Sequence, residues 1–240
     1  MIRKDSLLSK FIWIFLFSVA MGLLETVVVI YLRDIYYPGG FVFPLRPISA
    51  HHIVAELFRE LATMIMLLSI GFIAAEKASA RFAWFLFSFA VWDIFYYVFL
   101  KLFLGWPESL LTWDVLFLIP ITWVGPVICP VINALTMIAL AIFILLAGNK
   151  GYQASLAKWE WLLLIAGSLG VILSYTEEYA RFLLQKFTFG EIFSFPANSQ
   201  VTAYAYHFIP QHFSWGLYGA GELLMLAVLF FYVRRVFYKN

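Results

Sequence analysis

Acids inside long apolar segments are the residues of this sequence best able to do chemistry. A charged side chain in a membrane helix costs roughly 2.5–3.5 kcal/mol, so each one needs a compensating partner or a function. The acids of this kind, with one amide at a similar level, are Glu25, Glu60, Asp93, Asn133, Glu177, Glu178 and Glu222. Unpaired carboxylates in hydrocarbon must take up a proton, pair with a base or hold a cation.

These polar residues lie at similar depths in their segments. At a rise of about 1.5 Å per residue, Glu25, Glu60, Asp93 and Glu222 lie roughly 10–16 Å below the outer ends of four different helices. The common level predicts one shared polar cavity in the outer half of the membrane, with Lys101 at its mouth.

The spacing also supports a purely structural interpretation, in which ion pairs brace a helix bundle. Glu25 and Arg33 are eight residues apart on nearly one helical face. Asp93 and Lys101 are related in the same way through Tyr97. Glu177 and Glu178 reach Arg181 at the helical spacings i+4 and i+3. Glu60 and Glu222 lack such a partner in their own segments, which favours the cavity over bracing pairs.

A second candidate site involves histidines. His52, Glu56 and Glu60 recur every four residues and share one helical stripe, while His207 and His212 precede the last apolar segment. Imidazole and carboxylate ligands suit Zn, Fe or Mn, so these residues predict a metal site between the second and sixth segments. No HExxH motif is present, and histidines that hydrogen-bond to loop carbonyls are the competing interpretation.

Other chemistry has little support in the sequence. There is no phosphate-binding glycine loop, no GxSxG elbow and one cysteine, Cys129. The 26 Phe, 13 Tyr and 9 Trp fit membrane interfaces and core packing, and they are also compatible with a flat hydrophobic cofactor such as a quinone or carotenoid. A divalent metal is the other cofactor that the residues could hold.

The composition predicts an integral membrane protein. Of the 240 residues, 64% are apolar and 12% are charged, against about 25% charged in a soluble domain. The net charge of +2 and mean hydropathy of +0.90 exclude a nucleic-acid-binding protein and a soluble enzyme. Six segments are long enough to cross the bilayer: 11–32, 53–75, 82–104, 126–147, 159–183 and 213–236.

The distribution of basic residues predicts the orientation. Ten of the 16 Lys and Arg residues lie on alternate, short connections: Arg3, Lys4, Lys10, Lys77, Arg81, Lys150, Lys158, Arg234, Arg235 and Lys239. The positive-inside rule then places both termini in the cytoplasm, in what we expect to be a bacterial inner membrane. The outer connections are long and rich in Pro, Gly and aromatic residues.

The fold class expected is therefore a single all-α domain, a bundle of six transmembrane helices with both termini cytoplasmic and long outer loops. The apolar stretch 114–130 is interrupted by Pro120, Pro126 and Pro130, and it predicts a re-entrant or interfacial segment around 114–125.

Three functions remain open from the sequence. The first is an outward-facing polar cavity that binds a cation, a proton or a polar head group, with a role in transport. The second is a membrane enzyme, metal-dependent in one form, that acts on a lipid or isoprenoid. The third is a non-catalytic subunit of a larger respiratory or photosynthetic complex. The bilayer is the expected surrounding, and a homo-oligomer or a larger complex is the expected assembly.

Overall fold

The computed structural model describes residues 6–119, 121–193 and 198–238. The basic residues Arg3, Lys4 and Lys239, and the helix-breaking Pro120, lie outside these ranges. Six long helices dominate the described chain: α1 Leu7–Tyr36, α2 Ala50–Ala74, α3 Ala78–Leu104, α4 Ile128–Asn149, α5 Lys158–Leu184 and, after two short helices, α8 Trp215–Phe237. Each is long and apolar enough to cross a membrane. The chain is a multi-pass helical membrane protein, and the predicted spans agree with the helix ends to within four residues.

The connections between these helices contain structure that the sequence did not predict. Residues Trp113–Phe117 (β1) and Trp123–Pro126 (β2) form an antiparallel hairpin, with Val115 opposite Val124. The expected re-entrant or interfacial segment around 114–125 is thus a two-stranded hairpin. Aromatic and β-branched residues at alternate positions of β1 favour a strand over a helix. Two short helices, α6 Phe189–Ile192 and α7 Ser199–Ala205, lie between α5 and α8.

Local signals fix several helix ends. The hydroxyl oxygens of Ser6 and Ser49 accept backbone N–H groups at the starts of α1 and α2, which is the usual N-cap interaction. Gly105 ends α3 with a φ of 66°, in the left-handed conformation that glycine adopts most readily, and its N–H donates to the Lys101 carbonyl.

The six helices run alternately, so the bundle has two end faces. The hairpin face contains the β-hairpin, the last turns of α1, α3 and α5, and the first turns of α2, α4 and α8. The terminal face holds the start of α1 and the end of α8. At this terminal face Lys10 Nζ donates to the Ala74 carbonyl at 2.7 Å, and Arg235 pairs with the fully buried Glu160 at 2.7 Å.

Helix packing divides the bundle into two groups. In the first, α1 and α2 both pack against α3 and make little direct contact with each other. In the second, α5 packs along α8, and α4 joins the groups by contacting α3 and α8. The α5–α8 crossing is very close, since a Cβ on Gly221 would lie 2.7 Å from the Gly167 carbonyl oxygen. The largest buried core, which includes Trp84, Ile144 and Tyr232, fills the terminal half.

Candidate functional site

A cavity of about 170 Å³ lies at the hairpin face, between α1, α2, α3 and the hairpin. Its wall combines charged, aromatic and aliphatic residues. The acids are Glu25, Glu56, Glu60, Asp93 and Asp114, the bases are Arg33 and Arg59, and the aromatic residues are Tyr36, Tyr37, Phe41, Trp92, Tyr96 and Tyr97. Five acids therefore face two bases.

Arg59 neutralises two of the acids. Its Nη1 lies 2.9 Å from Glu25 Oε2, and its Nε donates to Glu56 Oε2 at 2.8 Å. The helical spacing i+3 brings Glu56 and Arg59 together on α2, and α1 supplies Glu25.

Glu60 is fixed by the hairpin instead of by a base. The backbone N–H of Leu118, just after β1, donates to both carboxylate oxygens at 3.1 Å. Glu60 is 5% exposed, so this amide is an important compensation for its burial.

Arg33 connects α1 to the hairpin at the cavity mouth. Its Nη2 lies 3.6 Å from Asp114 Oδ1, and its guanidinium carbon lies 3.8 Å from the Trp106 ring centroid and 4.7 Å from that of Phe41. Tyr97 donates a hydrogen bond to Asp114 Oδ2 at 3.2 Å. Burial raises the pKa of Asp114 to about 6, although Arg33, the Val115 amide and Tyr97 all favour the carboxylate.

Asp93 is different from the other four acids of the cavity. Within the part of the chain that the structure describes, its carboxyl group has no hydrogen bond and no ion pair. Its nearest charged groups include the acids Glu25 and Asp114, which repel it. The adjacent Trp92 is 6% exposed, and its indole N–H faces the Glu25 carboxylate. This stretch of α3 thus presents one carboxyl group on the cavity wall that has no hydrogen bond or ion pair among the described residues.

Aromatic hydroxyls hold the segment between α1 and α2 over the cavity. Tyr37 accepts the Arg46 N–H at 2.8 Å, and Tyr36 shares a hydrogen bond of 2.5 Å with His52 Nδ1. Tyr206, at the end of α7, bonds to both the N–H and the carbonyl of Ile48. We call this segment, residues 37–49, the lid.

The cavity is closed toward the terminal face. Met21 of α1, Leu67 of α2 and Trp92 of α3 form a buried apolar cluster beneath it. A Cβ on Gly22 would lie 3.0 Å from the Trp92 carbonyl oxygen, so glycine is needed for α1 to approach α3 this closely. This close crossing positions Glu25 against the Trp92 side of α3.

Glu222 does not reach this cavity, contrary to the predicted single layer. It belongs to α8, whose main packing partners are α5 and α4. There, Asn133 Nδ2 donates to Glu222 Oε2 at 2.6 Å, and the Thr136 hydroxyl donates to Oε1. Asn133 Oδ1 in turn accepts from the Tyr175 hydroxyl at 2.6 Å. We call Asn133, Thr136, Tyr175 and Glu222 the α4–α5–α8 network.

Three further predicted cavity residues also lie elsewhere. Lys101 donates to the carbonyls of Gly105 and Pro107 at 3.0 and 2.9 Å, so it closes the end of α3. Glu177 pairs with Arg181 at 2.5 Å, as their spacing predicts. Glu178 accepts the backbone N–H groups of residues 211 and 212. These side chains secure loops at the hairpin face.

The structure separates the residues of the predicted metal site. His52 bonds to Tyr36, and Glu56 bonds to Arg59. His207 Nδ1 lies 3.1 Å from the Ala203 carbonyl, while His212 contributes its backbone N–H to Glu178. His52 and Glu56 belong to α2, whereas His207 follows α7 and His212 precedes α8. Within residues 6–119, 121–193 and 198–238, no group of three His, Cys, Asp or Glu residues could hold a metal ion.

Three important residues were missed by the sequence reasoning. Arg59 was detectable, since its i+3 spacing from Glu56 is a standard helical pair. Asp114 had no comparable signal, because its partner Arg33 is distant in sequence and the hairpin was not predicted. Trp92 looked like one of many core aromatic residues. The expected pair of Glu25 with Arg33 is replaced by Glu25–Arg59 and Arg33–Asp114.

No protein-family model matches this chain, and no curated protein or solved structure is significantly similar to it.

Proposed function

We propose that the protein binds a small cation or a proton in the cavity of α1–α3, from the outer side of the membrane, as a step in its transport. One observation carries the proposal. Asp93 is a carboxyl group without a hydrogen bond or ion pair among the described residues, in a cavity where five acids face two bases.

The charge balance supports a positively charged ligand. Arg59 offsets Glu25 and Glu56, and Arg33 faces Asp114. A cation or proton bound at Asp93 reduces the repulsion between Asp93 and the other acids. The low-dielectric walls of the cavity strengthen the attraction between the carboxylate and the bound charge.

The size of the cavity limits the ligand. Water occupies about 30 Å³ per molecule in the liquid, so a cavity of about 170 Å³ admits a small ion with a few waters. Pockets for drug-sized ligands measure about 300–1,000 Å³. A quinone, a carotenoid or a whole lipid is too large for this cavity, whereas a polar head group is not.

The orientation is part of the proposal. Lys10, Lys77, Arg81, Lys150, Lys158, Arg234 and Arg235 belong to the terminal face, which the positive-inside rule assigns to the cytoplasm. The cavity then opens outward in a bacterial inner membrane. Cysteines introduced as Ser79→Cys and Tyr152→Cys should resist an impermeant thiol reagent in whole cells, and Gly39→Cys and Asn198→Cys should react. The reverse labelling pattern would overturn the orientation.

Thermal unfolding of the purified protein tests cation binding. A ligand at 100 times its Kd stabilises the folded state by about 2.7 kcal/mol, so the Tm should rise with the concentration of a bound cation. The test compares wild type, Asp93→Asn and the matched control Asp34→Asn, which removes an exposed acid from α1. In each titration, sodium, potassium or an alkylammonium chloride replaces tetrabutylammonium chloride, so the cation changes while the ionic strength stays constant.

Wild type and Asp34→Asn should show the same rise in Tm, and Asp93→Asn should lose it. Equal behaviour of all three proteins with every cation, together with equal proton uptake on acidification, would refute the proposal. Flux of the binding cation in proteoliposomes then tests transport, and binding without flux would refute the transport step. The membrane-bound enzyme and the subunit of a larger complex stay predictions from the sequence.

A further inference from the structure

A groove of about 520 Å³ runs along α8 beside α4, in the terminal half of the bundle. Phe143 of α4 lines one side, and a stripe of α8 lines the other. The stripe residues recur at spacings of three and four, so they lie on one face of the helix: Leu226, Leu229, Phe230, Val233, Arg234 and Tyr238. At a rise of 1.5 Å per residue, the stripe is about 18 Å long. The groove is separate from the α1–α3 cavity, since different residues line the two.

The polarity of the groove changes along its length. Leu226 is 41% exposed and Phe230 is 61% exposed, so this part of the stripe presents an apolar surface to the bilayer. Arg234 lies eight residues after Leu226, which is about 12 Å closer to the terminal face, and Tyr238 follows one helical turn later. An apolar channel that ends at a cation matches the division of a phospholipid into acyl chain and head group.

The charge of Arg234 is not neutralised by the protein. Its neighbour Arg235 pairs with the buried Glu160, whereas the Arg234 side chain makes no hydrogen bond or ion pair with any residue that the structure describes. Among the described residues, the terminal face carries seven bases and two acids. Arg235 holds one of these acids, and the other, Glu76, lies between α2 and α3. The guanidinium at the end of the groove therefore remains available to an anion.

A second cation lies on the α4 side of the groove. Lys150 Nζ is 5.6 Å from the Phe237 ring centroid, and that ring is 5.9 Å from the ring of Phe143, which lines the groove. Two cations favour a net negative head group over a zwitterionic one, whose ammonium group they repel. They also disfavour a second copy of the chain, because a twofold interface on this stripe would bring the two Arg234 side chains toward each other.

We propose that this groove binds one anionic phospholipid of the surrounding bilayer, such as phosphatidylglycerol. One acyl chain lies along the apolar part of the stripe, from Leu226 to Val233. Arg234 donates to the phosphate oxygens, with the paired geometry that a guanidinium group makes with phosphate. Tyr238 lies at the level of the head group, where tyrosine is enriched in membrane proteins. Basic pockets between transmembrane helices commonly bind anionic head groups in this way.

Native mass spectrometry of the protein released from nanodiscs tests the proposal. The nanodiscs contain equal parts of phosphatidylglycerol and phosphatidylethanolamine with the same acyl chains, so only the head group differs. Wild type should retain phosphatidylglycerol preferentially, and Arg234→Gln should weaken this retention about 5-fold, while Arg234→Lys should keep most of it. The control Lys77→Gln removes the same charge from an exposed side chain of the same face and should behave as wild type does. Asp93→Asn, in the separate cavity, should also behave as wild type does.

A further variant tests the apolar part of the groove. Leu226→Trp places a large side chain on the stripe at a partly exposed position, and it should reduce phosphatidylglycerol retention with Arg234 unchanged. Unchanged retention by Leu226→Trp would overturn the placement of the acyl chain. Equal retention of both lipids by wild type, or equal losses in Arg234→Gln and Lys77→Gln, would overturn the site itself. A dimer without lipid preference that Leu226→Trp dissociates would assign the groove to a second copy and would also overturn the proposal.

Discussion

The two polar clusters of this membrane protein both hold carboxyl groups within the helix bundle and satisfy them very differently. In the α4–α5–α8 network, the buried Glu222 accepts hydrogen bonds from Asn133 and Thr136, and Asn133 accepts from Tyr175. In the α1–α3 cavity, two arginines face five acids, and Asp93 has no partner among the described residues. One cluster is internally complete and the other is not.

The difference follows from how the helices pack. α8 packs closely on α5, where a Cβ on Gly167 would meet the Gly221 carbonyl oxygen at 2.7 Å, and α4 supplies a partner for each Glu222 oxygen. In contrast, α1 and α2 are held apart on α3, and the gap between them forms the cavity. Burial of a carboxyl group is therefore not enough to indicate a site. The incomplete set of partners is the more informative feature.

The largest effect is expected from removing the base that holds the cavity acids together. Arg59→Gln leaves Glu25 and Glu56 without an ion pair. Breaking a buried pair costs about 3–5 kcal/mol, and we expect the lower end because 21% of the Arg59 side chain is exposed. The Tm should fall, while cation affinity per folded molecule should rise, since five acids then face one base. A stable variant with unchanged affinity would contradict the charge balance described for the cavity.

A substitution in the complete network should affect stability alone. Glu222→Leu leaves the Asn133 amide and the Thr136 hydroxyl without their acceptor, at a cost of about 1–3 kcal/mol for each unpaired group. Thermal unfolding should show the loss, and calorimetry should show wild-type cation affinity for the folded fraction. Glu222→Gln, which keeps one acceptor oxygen, should be intermediate in stability. If Glu222→Leu abolishes cation binding without unfolding, the two clusters are coupled and the comparison fails.

Asp93→Asn should give the opposite result. The variant removes a negative charge that repels Glu25 and Asp114, so the Tm should stay the same or rise. Cation affinity should fall by about 1.5–3 kcal/mol, the usual contribution of a hydrogen bond to a charged group. Stability gained where binding is lost is the expected signature of a functional site. A variant that loses stability and binding together would instead indicate a structural role for Asp93.

The sequence predicts the helices well because the bilayer imposes a length and composition on each one. It also predicts that Glu25, Glu60 and Asp93 share a level, since depth follows directly from residue number. It does not predict which helices are neighbours, and so it groups Glu222 with the others. The Leu118 amide that satisfies Glu60, and Asp114 opposite Arg33, both come from a hairpin whose short strands resemble an apolar loop. Partners distant in sequence account for most of what was missed.

The smallest effect concerns the mouth of the cavity and is a pH dependence. Burial raises the pKa of Asp114 from an ordinary value of 3.8 to about 6, so the folded protein takes up this proton before the unfolded chain does. The contribution of Asp114 to stability is therefore complete below about pH 4 and is lost as the pH rises through about 6.

When the pH is lowered from 8 to 5, the free energy of unfolding of wild type should increase by about 1 kcal/mol, an increase that Asp114→Asn does not show. The measurement is the Tm of both proteins across this range. The difference between the two curves reports the ionisation of Asp114 together with its effect on Asp93, which it repels. Parallel curves would mean that Asp114 keeps one protonation state throughout and that the mouth of the cavity does not respond to pH.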